Sequence, residues 1–294
     1  MTAPRGLVWL ASYPKSGNTW FRILLANLDS GGHEPVDINR LGELGGDIAS
    51  SRAWFESATM LESGLLSHDD IDSLRPGVYE RAASELAGQR WVKVHDAYVL
   101  NANGEPTLGR GVARAAIYLV RDPRDVAVSL AHHDTATIDA AISLMNDPEG
   151  AAASGRGGRA DQLRQRLLGW SGHAASWLDQ SDTPVHLVRY EDLHANPVIA
   201  FGEALRFAGR AASAEEIARA VRHADFAELQ RQEREKGFAE RGLRATPFFR
   251  EGRAGGWRDV LSDAQVGRLE AAHAPMMRRL GYRLETTPAA RAAR

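Results

Sequence analysis

The segment ASYPKSGNTW, residues 11–20, sets a lysine, a glycine and three polar side chains between an apolar run and an amphipathic stretch. Gly17 lets an anion approach the backbone, Lys15 supplies a mobile positive charge, and Ser16 and Thr19 supply hydroxyl donors. Backbone N–H groups at the start of a helix, aided by its dipole, attract the same kind of ligand. A loop built for a magnesium-bound nucleoside triphosphate needs the pattern G-x-x-x-x-G-K-[ST]. Here no glycine stands at that distance before Lys15, and none stands directly before it. That chemistry is disfavoured. The competing reading is a capped helix after a turn, with Lys15 on the surface.

Three more segments carry chemistry. In WVKVHDA, Lys93 and His95 stand two apart, so on a strand they share one face. Imidazole titrates near working pH and suits a general base, although a lone histidine is more often structural. In RDPRDVAVS, Arg121 suits charge-assisted bonding to a phosphate, while Asp122 and Pro123 would equally serve to start a helix. In RYEDL, Glu191 and Asp192 are read as strand neighbours facing opposite ways, hence as anchors rather than an acid–base pair. His132, His133 and Asp134 are adjacent and do not present one face to one ion, so no metal is expected there. Arg156, Arg159, Arg164 and Arg166 read as a solvated basic run, with contact to an acidic acceptor as the alternative.

Positioning these groups requires repeated strand–loop–helix units. Residues 6–12, 90–99, 116–120 and 185–193 read as strands, and helical patterns follow 17, 123 and 198. Helices are also expected over 50–65, 78–88, 161–180, 213–223 and 262–280, with a turn at 75–77 and loop over 30–50, 101–111 and 231–256. Such units build a central, mainly parallel sheet with helices on both faces, and ligands then lie beyond the carboxyl ends of the strands. The four strands end in SYPKSGNT, KVHDA, RDPRD and RYEDL. All four ends are polar.

The 294 residues carry a formal net charge of -2, so no global basic field points to nucleic acid as a partner. There is no cysteine, which excludes disulfides and thiolate chemistry. No signal-peptide core and no apolar run of spanning length occurs, so a soluble, cytoplasmic protein without stable membrane insertion is expected. One domain over 1–284 with a flexible tail at 285–294 fits the absence of any linker.

YPKSGNTW resembles the 5′-phosphosulfate loop of the cytosolic-type sulfotransferases, which use 3′-phosphoadenosine 5′-phosphosulfate (PAPS) without metal on a P-loop-like three-layer α/β fold. The resemblance implies that Lys15 contacts the phosphosulfate and its bridging oxygen. Ser16, Gly17, Asn18 and Thr19 would cradle the phosphate, and Trp20 would stack on adenine. RDPRDVAVS resembles the family's 3′-phosphate motif, which assigns Arg121 and Ser129 to that phosphate. The family's K-x-H assigns His95 as catalytic base and Lys93 to charge neutralisation. RYEDLHANP implies Tyr190 against the adenine, and HADF implies Phe226, with Ala224 where threonine is usual. FFREGRAGGWRD resembles the C-terminal motif in Arg250 and Gly252, but Glu251 replaces a lysine and is expected to turn away. The family's dimer signature is absent from WRDVLSDAQVGRLE, leaving the oligomeric state open.

The implied reaction moves a sulfuryl group from PAPS to a hydroxyl, less readily an amine, of a small-molecule or lipid-like acceptor, releasing adenosine 3′,5′-bisphosphate (PAP). Trp54, Phe55, Met60, Leu65, Phe238 and Phe248 would line the acceptor pocket or belong to the core. The rivals are a P-loop-type small-molecule kinase, for which the magnesium ligand is missing, and a non-catalytic nucleotide-binding protein, against which Lys93 and His95 argue.

Overall fold

A computed structural model describes residues 6–134, 136–153, 161–240 and 247–286. The N-terminal part comprises β1 (Gly6–Ser12), α1 (Asn18–Ser30), α2 (Leu41–Leu44), β2 (Asp47–Ile48), α3 (Arg52–Thr59), α4 (His68–Glu85) and β3 (Gln89–Val94). The middle holds β4 (Ala113–Val120), α5 (Pro123–Asp134), α6 (Ile138–Asn146), β5 (Ala151–Ala152), β6 (Gln165–Arg166), α7 (Gly169–Asp179) and β7 (Val185–Arg189). Helices α8 (Tyr190–Ala195), α9 (Pro197–Phe207), α10 (Ala214–His223), α11 (Phe226–Lys236) and α12 (Asp263–Arg279) complete the chain.

Five strands form one parallel sheet in the order β2-β3-β1-β4-β7. Alternation along β1 divides two cores: Leu7, Trp9 and Ala11 face one side, Val8 and Leu10 the other. Strand β4 repeats the division, with Tyr118 and Val120 on the first side and Ile117 and Leu119 on the second. Helices cover both faces, as the expected three-layer fold requires, and every central strand runs its carboxyl end towards the same edge.

The local pattern misplaced several boundaries. Residues 38–48 hold short helical turns and β2 rather than loop alone. Helix α4 runs through Pro76 instead of breaking into a turn at 75–77. Proline cannot donate back to the carbonyl of Asp72, and the Asn101 side-chain amide donates to that carbonyl instead, at 3.3 Å. The helix expected over 161–180 begins only at Gly169, because residues 165–166 pair with 151–152 as an antiparallel ribbon. Strand β7 stops at Arg189, and Tyr190 to Ala195 coil into a helix, so Glu191 and Asp192 are not strand neighbours. Glu191 is nonetheless an anchor, accepting from the Asp122 backbone N–H at 2.9 Å and from the Tyr282 hydroxyl at 3.0 Å.

Residues 231–236 belong to helix α11 rather than to an irregular stretch, and α6 lies outside the expected helices. Glu285 and Thr286 are tied to the buried Glu270 carboxylate through their backbone N–H groups, each at 2.9 Å, so they do not belong to a loose tail. Residues 287–294, like Arg156 and Arg159, lie outside the described residues.

Candidate active site at the strand tips

The carboxyl ends of β1, β3, β4 and β7 open into one cavity of about 670 Å³. Lys15, Gly17, Asn18, Thr19, Trp20, Lys93, His95, Arg121, Ser129, Tyr190, Phe226, Arg250 and Gly252 all line it. Residues dispersed over more than two hundred positions thus face a common volume. Of the sequence-derived set only Ser16 is set back from the wall. It is fully buried, and its hydroxyl finds no partner among the described protein groups.

The first loop has the geometry of an anion cradle. Helix α1 starts after Gly17, whose φ of 102° belongs to glycine, and no side chain caps the first turn. Its leading N–H groups therefore point into the cavity without intrahelical acceptors. A Cβ on Gly17 would stand 2.8 Å from the Tyr190 ring, and one on Gly252 would stand 2.4 Å from Phe226. Both glycines thus let a ring close over the loop backbone. Lys15 also takes a positive φ, 68°, a strained conformation for a residue with a side chain. Its ammonium lies 4.0 Å from the centre of the Phe248 ring.

Arg121 reaches the cavity from the end of β4, beside the first loop. Its guanidinium stacks 4.3 Å above the Tyr190 ring and donates to the backbone carbonyls of Arg253, at 3.0 Å, and Lys15, at 3.4 Å. Ser129 presents its half-buried side chain from α5, two turns on. Arg250 contacts the His132 imidazole. Glu251 does not turn away: it lines the cavity and pairs with Arg253 at 2.9 Å and Arg250 at 3.6 Å. Its extra charge is met by two guanidinium groups. Trp20 is fixed by its indole N–H donating to the Ala224 carbonyl at 3.0 Å, and its ring meets Tyr190 edge-on at 6.0 Å.

His95 follows β3 directly. Its Nδ1–H donates to the Ser12 carbonyl at 2.9 Å, which leaves Nε2 as the ring's unprotonated nitrogen. Burial, and next the neighbouring Lys93 ammonium, hold its pKa well below the usual imidazole value. This environment favours the neutral ring, which can be tested: a histidine NMR titration of the nucleotide-free protein should find it uncharged at pH 6. A midpoint at or above the ordinary histidine value would contradict the environment described.

The backbone of His95 is held as well. His173 donates from Nε2 to the His95 carbonyl at 3.1 Å and accepts from the Tyr118 hydroxyl at 2.9 Å. Burial keeps His173 neutral, with its pKa pushed down to about 4. The next residue, Asp96, forms a two-pronged pair with Arg75 at 2.8 and 2.9 Å, and both are almost wholly buried.

Sequence reasoning missed two carboxylates at the cavity wall. Glu240 accepts from Arg22 at 2.6 Å and lies 3.5 Å from Lys93. These two cations hold its carboxyl below the usual range despite burial, which acts in the opposite sense. No local signal marks it, because its partners are 147 and 218 residues away. Asp125 accepts from the backbone N–H groups of Gly255, at 2.6 Å, and Trp257, at 2.9 Å, and so pins the C-terminal arm beside Arg121. Its place inside RDPRD was visible; its partner was not.

Of the six apolar residues considered for an acceptor pocket, only Phe248 lines the cavity. Phe55 and Phe238 are core, Trp54 packs against the core, and Met60 and Leu65 are exposed. Arg164 is not a solvated charge, since it pairs with Asp72 at 2.5 Å and Asp69 at 3.0 Å.

The fold and these motifs define a sulfuryl-transfer protein, and comparison with known proteins agrees: the sulfotransferase domain model matches residues 6–281, and the chain belongs to that family. It is a sulfotransferase. Among individual relatives, rat sulfotransferase 1A1 is 25% identical over 287 residues, covering 91% of this chain and 83% of the relative. Luciferin sulfotransferase of the firefly Photinus pyralis is 29% identical over 133 residues, covering 42% of this chain and 32% of that protein. A crystal structure of retinol dehydratase with androsterone and inactive cofactor PAP superposes with a TM-score of 0.58 at 20% identity, over 98% of this chain and 84% of that one. Mouse sulfotransferase SULT7A1 complexed with PAP gives 0.55 at 19% identity, over 99% and 88%. These superpositions support the P-loop-like α/β fold expected from the sequence.

Proposed function

We propose that residues 1–284 form one catalytic domain that uses PAPS as sulfuryl donor and a hydroxyl of an apolar small molecule as acceptor, with His95 as base. The observation that carries this reading is the convergence of Lys15, Arg121 and His95, from three separate strand ends, on a single cavity. A PAPS-sized ligand with an anionic group at each end suits the residues present. The buried Ser16 hydroxyl, the uncapped start of α1 and the Gly17 cradle under Tyr190 fit its 5′ end. Arg121, Ser129 and Arg250 form the cationic, hydroxyl-bearing end that suits a 3′-phosphate.

In this reading PAPS supplies a sulfuryl group on a good leaving group. Nε2 of His95 takes the acceptor's proton as the acceptor oxygen bonds to sulfur and the bond from sulfur to the bridging oxygen breaks. Lys15, Lys93 and the N–H groups at the start of α1 stabilise the negative charge that develops on that bridging oxygen. Glu240 keeps Lys93 beside the base. The acceptor side of the same cavity carries Leu130, Leu144, Leu167 and Phe248, which suits an apolar body. The retinol and androsterone bound in retinol dehydratase structures are in keeping with such acceptors.

Competition binding tests the donor. PAP should displace labelled PAPS, whereas ATP with Mg²⁺ should not, because only the former places a phosphate at Arg121. Equal displacement by both would overturn the assignment. Arg121→Ala should weaken PAP binding about 10- to 100-fold by isothermal titration, the worth of one charge-assisted phosphate contact. An unchanged Kd would remove Arg121 from the site.

A further inference from the structure

Asn18 stands in the loop proposed to hold the phosphosulfate, yet its side chain turns back to the end of β1. It is buried, with Nδ2 donating to the Leu10 carbonyl at 2.9 Å and to the Ser12 hydroxyl at 3.2 Å. The Leu10 carbonyl can only accept, which fixes the amide orientation; the flipped form would set two oxygens against each other. Both Nδ2 hydrogens are therefore committed. The remaining atom, Oδ1, is an acceptor and has nothing to offer an anion. The Ser12 hydroxyl, itself fully buried, lies 3.2 Å from Nδ1 of His95, whose hydrogen goes to the Ser12 carbonyl.

We infer that Asn18 is a positioning residue for the base, acting through Ser12, and that only its backbone N–H serves the phosphate. The amide donates to the Ser12 hydroxyl and so holds that oxygen beside Nδ1 of His95, whose hydrogen the Ser12 carbonyl takes. The Ser12 carbonyl, which can only accept, favours the tautomer with hydrogen on Nδ1, and a hydroxyl held in place by Asn18 is kept from turning to donate to that nitrogen. That tautomer leaves Nε2 free to take a proton. A side chain of the donor-binding loop thereby sets the tautomer and orientation of the group that activates the acceptor. This inference rests on the proposal that His95 is the base.

The test combines spectroscopy with kinetics so that the two claims fail separately. Long-range ¹⁵N–¹H spectra of the nucleotide-free protein at neutral pH, with the His95 signals assigned by their loss in His95→Ala, should show hydrogen on Nδ1. A ring carrying its hydrogen on Nε2 overturns the inference without any substitution. In Asn18→Ala the spectra should show an increased fraction of the Nε2–H form. Turnover should fall roughly tenfold, as expected for a misoriented base, with the Kd for PAP unchanged. A raised Kd with unaltered turnover and tautomer would make the Asn18 side chain a phosphate ligand instead. Ser12→Ala, which removes the hydroxyl while keeping the carbonyl, should shift the tautomer in the same direction and serves if Asn18→Ala does not fold. If His95→Ala keeps full turnover, the base assignment fails, while the tautomer spectra still decide whether Asn18 controls the ring.

Discussion

Replacing His95 with alanine should lower turnover by about 10²–10⁴-fold, the range for loss of a positioned general base. PAP binding should remain as in the native protein, since the groups proposed to hold its phosphates lie on other strand ends. The size of the effect follows from the environment of the ring. It is neutral near pH 7 because burial and Lys93 disfavour its charged form, and its Nδ1–H is committed to Ser12. A base with this preset needs no prior deprotonation. Steady-state transfer of ³⁵S from labelled PAPS, paired with isothermal titration of PAP, separates the two quantities. Retained turnover in a variant that binds PAP normally would assign the proton transfer elsewhere.

The second large effect is on stability. Arg75→Ala should destabilise the protein by about 3–5 kcal/mol, the cost of leaving one partner of a buried ion pair without the other. Arg75 and Asp96 are 1% and 2% exposed, so water cannot replace the lost guanidinium. Arg75 also donates to the Tyr79 hydroxyl at 3.0 Å, and that hydroxyl donates to the Ala49 carbonyl at 2.8 Å. One arginine therefore ties α4, the tip of β3 and the start of the segment before α3. Urea unfolding should show the loss, and the double variant Arg75→Met with Asp96→Leu should lose less, because no charge is then stranded. A single variant as stable as the native chain would mean that Asp96 finds another partner or a proton. Because Asp96 adjoins His95, turnover should fall in the single variant as well.

The contrast between these two residues shows what the sequence can and cannot disclose. His95 is legible because strand alternation puts it on one face with Lys93 two positions before it. Lys15, Gly17 and Arg121 are legible because a contiguous loop between a strand and a helix carries its chemistry in a few adjacent residues. The parallel sheet follows from recurring strand–loop–helix units, and β1 appears with the expected limits of 6–12. Arg75 is invisible in the same way that Glu240 is. Each acquires meaning from a partner on a distant segment, and Arg75 sits next to a proline that reads as a turn. Helix α4 continues there, and Asn101 supplies the donor that Pro76 lacks. Asn18 illustrates a third case: its motif position suggests a phosphate ligand, and only the hydrogen-bond directions reveal that the amide donates to Leu10 and Ser12 instead.

Cations and an imidazole gathered from remote strand ends around one doubly phosphorylated adenosine are the core of the proposal. A crystal structure with PAP bound tests this most directly. The 5′-phosphate should lie on the loop from Lys15 to Thr19, the adenine between Trp20 and Phe226, and the 3′-phosphate against Arg121, Ser129 and Arg250. A nucleotide bound with its phosphates away from Arg121, or outside the cavity altogether, would contradict it.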